Sequence, residues 1–185
     1  MTAKPSVGVK FIVIGSEGVG KTSFIKRVVR GNFISTDCNT LKKTYSGEAI
    51  VKDIKIQIKK SKNRSKKELV RLSFVDVADG CLDRHMDNCD GILCMFSLSE
   101  PNSLEEVVQI KHDIDNALNG KCLKPFFLIG TKLDLMEDIK EDYKLVEDMC
   151  TTHRFKQVHL LSVKSGENVD ETVEAVVQGV LNCDE

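Results

Sequence analysis

The chain has 185 residues, a length that suits one domain with a substantial core. Hydrophobic residues make up 41% and charged residues 30%, and the formal net charge of −1 gives no overall pull toward nucleic acid or an anionic membrane. No apolar run approaches the ~20 residues of a membrane-spanning helix. The seven cysteines (Cys38, Cys81, Cys89, Cys94, Cys122, Cys150 and Cys183) form no CxxC pair, which points to reduced thiols and a cytoplasmic protein rather than a disulfide or zinc framework.

In chain order, Val7–Ile14 is apolar and rich in β-formers, and reads as a buried strand that runs into a glycine-rich turn. Residues 22–30 then place Phe24, Ile25, Val28 and Val29 on one helical face. Residues 49–59 alternate at Ile54, Ile56 and Ile58, the period-2 pattern of a half-buried strand, and 68–77 repeat it, so the two predict a hairpin. Residues 91–98 and 125–130 are short apolar runs suited to central strands, and 158–161 are a further short strand. Helical spacing occupies 102–118, 139–151 and Val169–Leu181. Strands alternating with helices predict an α/β fold: a mostly parallel six-stranded sheet, one antiparallel edge strand, and helices on both faces. No repeat, linker or second domain interrupts 1–185, which reads as one domain.

The central signal is Gly15-Ser16-Glu17-Gly18-Val19-Gly20-Lys21-Thr22, a full match to GxxxxGK[ST] between a strand and a helix. Glycines let the backbone curl until successive N–H groups face phosphate oxygens, and the helix N-terminus adds its positive end. Lys21 is placed for the β- and γ-phosphates, and the Thr22 hydroxyl for Mg²⁺. The motif marks a nucleotide without naming the base. The base is named downstream, in Thr131-Lys132-Leu133-Asp134 at the end of a strand. A carboxylate there accepts from guanine N1–H and the 2-amino group together, a pattern adenine lacks, and Lys132 covers the ring with its aliphatic stem.

With these residues in view, the chain resembles a Ras-superfamily small GTPase of Rab or Rho style, with a P-loop NTPase fold. Residues 15–23 (GSEGVGKTS) resemble its phosphate loop and 130–135 (GTKLDL) its guanine motif, while Leu161-Ser162-Val163-Lys164 resembles S-A-K with valine for alanine. The resemblance implies nucleotide contacts from Gly15, Glu17, Gly18, Val19, Gly20, Lys21, Thr22, Ser23, Thr131, Lys132, Asp134, Leu135, Ser162, Val163 and Lys164. In particular it implies that the Val163 N–H meets guanine O6 and that Phe33 stacks on the guanine edge. It also implies Mg²⁺ held by Thr22, Asp76 and Thr40, with Thr40 and the backbone of Asp79 and Gly80 on the γ-phosphate. Thr44 is the rival to Thr40, which its distance along the chain from Lys21 favours.

The departures from the family concern hydrolysis. Phe74-Val75-Asp76-Val77-Ala78-Asp79-Gly80 stands where the family has W-D-T-A-G-Q. Asp79 brings a carboxylate to the γ-phosphate, which disfavours GTP relative to GDP if it stays ionised. Gly80, at the glutamine position, has no side chain to orient an attacking water, so unaided hydrolysis is expected to be slow and no catalytic residue is named. The second switch is short, and Glu17 crowds the approach of an arginine finger.

The run 59–67 lies between the paired strands, lengthens that hairpin beyond the family's usual, and carries six basic residues in nine. It reads as a solvated tip, or as an arm for an anionic membrane or an acidic partner; without interleaved aromatics it does not suit nucleic acid. The tail shows no C-a-a-X box or double cysteine, so either the chain is not prenylated or the sequence is part of a longer one. Three functions follow: a GTP/GDP switch acting on effectors and regulators through 33–48 and 76–90, a nucleotide-holding pseudo-GTPase scaffold, and another phosphate-loop enzyme such as a small kinase. Asp134 and Val163-Lys164 speak against the third.

Overall fold

A computed structural model describes residues 7–31, 49–61, 64–77, 86, 88–118, 122–138 and 140–182. Six strands, β1 (Val7–Ile14), β2 (Ala49–Ser61), β3 (Arg64–Asp76), β4 (Gly91–Ser97), β5 (Phe126–Thr131) and β6 (Gln157–Leu160), form one sheet in the order β2-β3-β1-β4-β5-β6. Every neighbouring pair is parallel except β2 and β3, so the antiparallel strand lies at the edge. Among the described residues four α-helices accompany it: α1 (Lys21–Arg30), α2 (Asn102–Ala117), α3 (Lys140–Thr152) and α4 (Val169–Leu181). This is the mostly parallel, doubly covered sheet that the alternation of patterns predicts.

The reason a strand such as β1 reads as a continuous apolar run is that both of its faces are buried. Phe11 and Val13 join a core with Phe24, Ile25 and Val28 of α1 and with Val173, Val176 and Val177 of α4. Ile12 and Ile14 point the other way, into a core with Leu104, Val107 and Ile114 of α2 and Val146 of α3. One aromatic cluster ties the first layer together. Phe74 stacks on Phe11 with ring centroids 5.9 Å apart, and meets Phe24 edge-on at 6.3 Å.

The basic run departs from its expected form. Instead of lying between the strands, it belongs mostly to them: Lys59 pairs with Ser65 and Ser61 with Arg64, with a register irregularity between Lys59 and Ser61. Ladder hydrogen bonds join backbone groups and do not read side-chain polarity, so a composition suggesting a loop can still be carried as strand. The β1–β3 pairing begins at Val7 and Val70, so among the described residues the outer part of the β2–β3 ribbon extends past β1.

A second departure from pattern is Lys111 on α2, a cation buried on an apolar face. Its ammonium pairs with Asp115 at 2.6 Å and stands 4.8 Å from the Phe126 ring centroid and 5.7 Å from that of Phe155. One carboxylate and two π faces offset its desolvation. Cys89, Cys94, Cys122 and Cys150 are free thiols; burial pushes Cys89 up to about 11 and raises Cys94 and Cys150 as well, which leaves little reactive thiolate at neutral pH. No helix among the described residues is long and apolar enough to cross a membrane.

Truncating Phe74 to alanine should lower stability by about 3–5 kcal/mol, read in urea as a lower midpoint at nearly constant slope. A loss below about 1 kcal/mol would mean that the cluster collapses around the gap. Burial also lowers the pKa of His159 from its ordinary 6.5. The folded protein therefore takes up this proton less readily than the unfolded chain, and stability falls as pH drops through 6.5 and down to the lower folded value. A His159→Gln variant should lose part of that decline as pH drops through 6.5 in urea titrations.

Candidate nucleotide-binding site

The carboxyl ends of β1, β3 and β5 and the turn after β6 converge on one end of the sheet, where open α/β folds take their ligands. The loop after β1 is shaped by its first glycine. Gly15 has φ +140°, and a Cβ built on it would lie 2.0 Å from the carbonyl oxygen of Met95 on β4, so only glycine fits between the strands. The loop ends at Gly20, whose left-handed φ of 101° turns the chain into α1. Between them Val19 is buried and anchors the loop, while Glu17 and Gly18 are exposed at its tip.

Lys21 and Ser23 occupy the first turn of α1. The Lys21 ammonium lies over the loop and donates to the carbonyls of Gly15 at 2.5 Å and Ser16 at 2.9 Å. The Thr22 hydroxyl donates to Asp76 at the end of β3, which brings together a hydroxyl and a carboxylate 54 residues apart in sequence. Both are hard oxygen donors of the kind Mg²⁺ accepts, with waters and phosphate oxygens completing its shell. The fit is good, and these two side chains would hold the ion.

The second loop follows β5. Thr131 is buried, and its hydroxyl donates to the carbonyls of Val19 at 2.6 Å and Phe96 at 3.0 Å, so the loop after β5 and the glycine loop after β1 share one anchor. Lys132 adopts a left-handed φ of 62° and sends its ammonium to Glu100 at 2.6 Å. Asp134 and Leu135 lie in a short 3₁₀ turn, with Leu135 exposed. The Asp134 carboxylate accepts from Ser162 at 2.5 Å, and Lys164 stands 3.9 Å from its other oxygen. Ser162 is fully buried and also accepts from the Ser165 N–H through its hydroxyl, while Val163 is buried beside it. The structure thus brings together the predicted residues of the phosphate loop, Asp76, the Thr131–Leu135 segment and the Ser162–Lys164 segment. Phe33, Thr40, Thr44, Asp79 and Gly80 lie outside the described residues.

Three participants carry no motif. Glu106 of α2 accepts from the Ser16 hydroxyl in the phosphate loop, and Glu100, just before α2, holds Lys132. Arg27 of α1 donates to the carbonyls of Val163, Lys164 and Ser165. The acidic pair looks like any solvated surface, and among the described residues Arg27 hydrogen-bonds only to main chain, so the sequence holds no signal for them.

A strand, glycine loop and helix with a lysine over the loop, set beside a second loop built on Thr-Lys-x-Asp, define a phosphate-loop nucleotide-binding fold. Comparison with known proteins narrows the class. The family model described as the Ras family matches residues 10–182. Ras-related protein Rab-32 of Sus scrofa is 29% identical over 180 residues, covering 93% of this chain and 74% of its own. Ras-like protein rasX of Dictyostelium discoideum is 22% identical over 174 residues (93% and 76%), and Ras-related protein Ral-a of Drosophila melanogaster is 24% identical over 175 (92% and 81%). The chain belongs to the Ras family: it is a small GTPase with similarity to Rab-related members.

The shared anchor is open to test. A Thr131→Val variant leaves the Val19 and Phe96 carbonyls without their buried donor, and should lose about 1–3 kcal/mol in chemical denaturation. Full stability in that variant would show that these carbonyls find other donors.

Proposed function

We propose that the chain is a guanine-nucleotide switch that binds GDP and GTP with Mg²⁺ and, unaided, hydrolyses GTP slowly. The observation that carries this reading is the meeting of Lys21, the Thr22–Asp76 pair and the Ser162-held Asp134 carboxylate at one end of the sheet. Lys21 would exchange its loop carbonyls for phosphate oxygens, and the amides from Glu17 to Ser23 would add donors. When bound, Mg²⁺ would neutralise charge on the β- and γ-phosphates. Asp134 is an acceptor already turned by a hydroxyl, matched to guanine N1–H and the 2-amino group. Thr131 and Leu135 would frame the base, Lys132 would lie along the ring with its charge on Glu100, and the Val163 N–H, beside Lys164, would meet O6.

Slow hydrolysis follows from Gly80 at the water-orienting position, while Asp79, if ionised at the γ-phosphate position, disfavours GTP relative to GDP. The same two residues favour a second reading, a scaffold that holds GDP without cycling. In the first reading, GTP draws Thr40, Phe33 and the Asp79–Gly80 backbone into place, and effectors and regulators in signalling or membrane traffic read 33–48 and 76–90. The basic run 59–67, with six cations in nine residues, would serve as the arm toward an anionic membrane or an acidic partner.

Fluorescent GDP and a non-hydrolysable GTP analogue should bind with similar affinity, and single-turnover GTP cleavage should be slow but measurable. Tight GDP, poor analogue binding and no cleavage would select the scaffold. Lys21→Ala should abolish phosphate binding, and Asp134→Ala should weaken GDP by about 100-fold while narrowing the preference over ADP. Retention of nanomolar affinity by Lys21→Ala would sink the phosphate-loop assignment.

A further inference from the structure

Arg27 makes a contact that the nucleotide reading does not use. Its guanidinium donates from Nη1 to the carbonyls of Val163 and Lys164, both at 3.1 Å, and from Nη2 to that of Ser165 at 3.0 Å. Three successive carbonyls are thus gathered on one cation, across 136 to 138 residues of sequence. The fit extends to Gly166: its φ is +94°, which L side chains rarely adopt, and a Cβ there would stand 2.1 Å from Nη2, so a side chain at that position would strain the turn and push the guanidinium aside.

Peptide planarity turns this clamp into an orienting device. In a trans peptide the N–H points opposite to the C=O of the same unit. With the Val163 carbonyl held by Arg27, the Lys164 N–H faces away from the guanidinium. The Ser162 carbonyl accepts from the Gly166 N–H at 2.9 Å, which directs the Val163 N–H out of the turn. The other amides are engaged: Ser162 N–H with Glu167 at 3.1 Å and Ser165 N–H with the Ser162 hydroxyl at 3.0 Å. Among the described residues the Val163 and Lys164 N–H groups have no acceptor, and Val163 is the residue placed at guanine O6.

Arg27 also belongs to the helix that begins with Lys21 and Thr22 and is fixed in the core by Phe24, Ile25 and Val28. We infer that Arg27 is a positioning residue for the base: through the Val163 carbonyl it orients the Lys164 N–H, it steadies the turn whose Ser162–Gly166 bond aims the Val163 N–H so that these amides meet the purine O6, and it joins the base half of the site to the phosphate half through α1. The inference rests on the guanine-nucleotide reading. A bidentate fork is needed, since an ammonium lacks the planar reach for three carbonyls.

The test measures release of fluorescent GDP from the full chain in wild type, Arg27→Ala, Arg27→Lys and Gly166→Ala, with urea midpoints under saturating GDP to establish folding. Loss of three hydrogen bonds should speed release about 10- to 100-fold in Arg27→Ala, with Arg27→Lys intermediate and Gly166→Ala faster than wild type. A positional role is separated from general loosening by competition with 6-thioguanosine diphosphate, which keeps N1–H and the 2-amino group and replaces O6 with a weakly accepting sulfur. Its affinity should be the same in wild type and Arg27→Ala, while that of GDP falls. Equal GDP release in wild type and Arg27→Ala would overturn the inference, as would parallel weakening of both ligands. If Arg27→Ala does not fold, Arg27→Lys carries the same comparison. A wild type that holds no GDP would instead overturn the guanine reading itself.

Discussion

The close approach of Gly15 to β4 is the constraint on which the site depends. No side chain fits where the loop leaves β1, because the Met95 carbonyl already occupies the space a Cβ would need. That contact seats the loop on the sheet, and from it follow the buried Val19, the left-handed turn at Gly20 and the direction in which α1 departs. Lys21 and Thr22 come to one end of the sheet as a result of backbone packing, before any ligand contributes. The loop is pre-organised in the ordinary physical sense: the free energy of shaping it is supplied by folding.

Much of this was legible in the residues. Val7–Ile14 and Val169–Leu181 have in the structure the bounds their patterns predict, because apolar runs between turn residues leave few alternatives. The phosphate loop was legible because glycine at fixed spacing answers a steric demand that few other residues meet. Asp134 was legible by its place after a central strand, although its partner Ser162 came from resemblance. The reach of β2 and β3 into the basic run was not, since a backbone ladder leaves no trace in side-chain polarity. Lys111 was not either: a lysine at that spacing reads as exposed until Phe126 and Phe155 are known to lie beneath it.

Two acidic residues show another limit. Glu100 and Glu106 approach the site from α2 and the turn before it, one holding Lys132 and the other Ser16. From sequence each is one carboxylate among many. Placed in the fold, they give the loops after β1 and β5 a common support on the same side of the sheet, and the geometry of Lys132 is linked to that of the glycine loop. Exposed ion pairs contribute little to global stability, so such contacts matter chiefly for the angle at which a side chain is presented.

The three carbonyls gathered by Arg27 bear on how this protein can diverge from its relatives. A hydrogen bond to main chain is indifferent to the residue that carries it. Substitutions at 163 or 165 that preserve the turn leave the arginine with the same acceptors, and valine can stand where alanine is usual without disturbing the contact. Chains related at no more than 29% identity can therefore share an architecture whose working parts are carbonyls and amides, invisible to any comparison of letters.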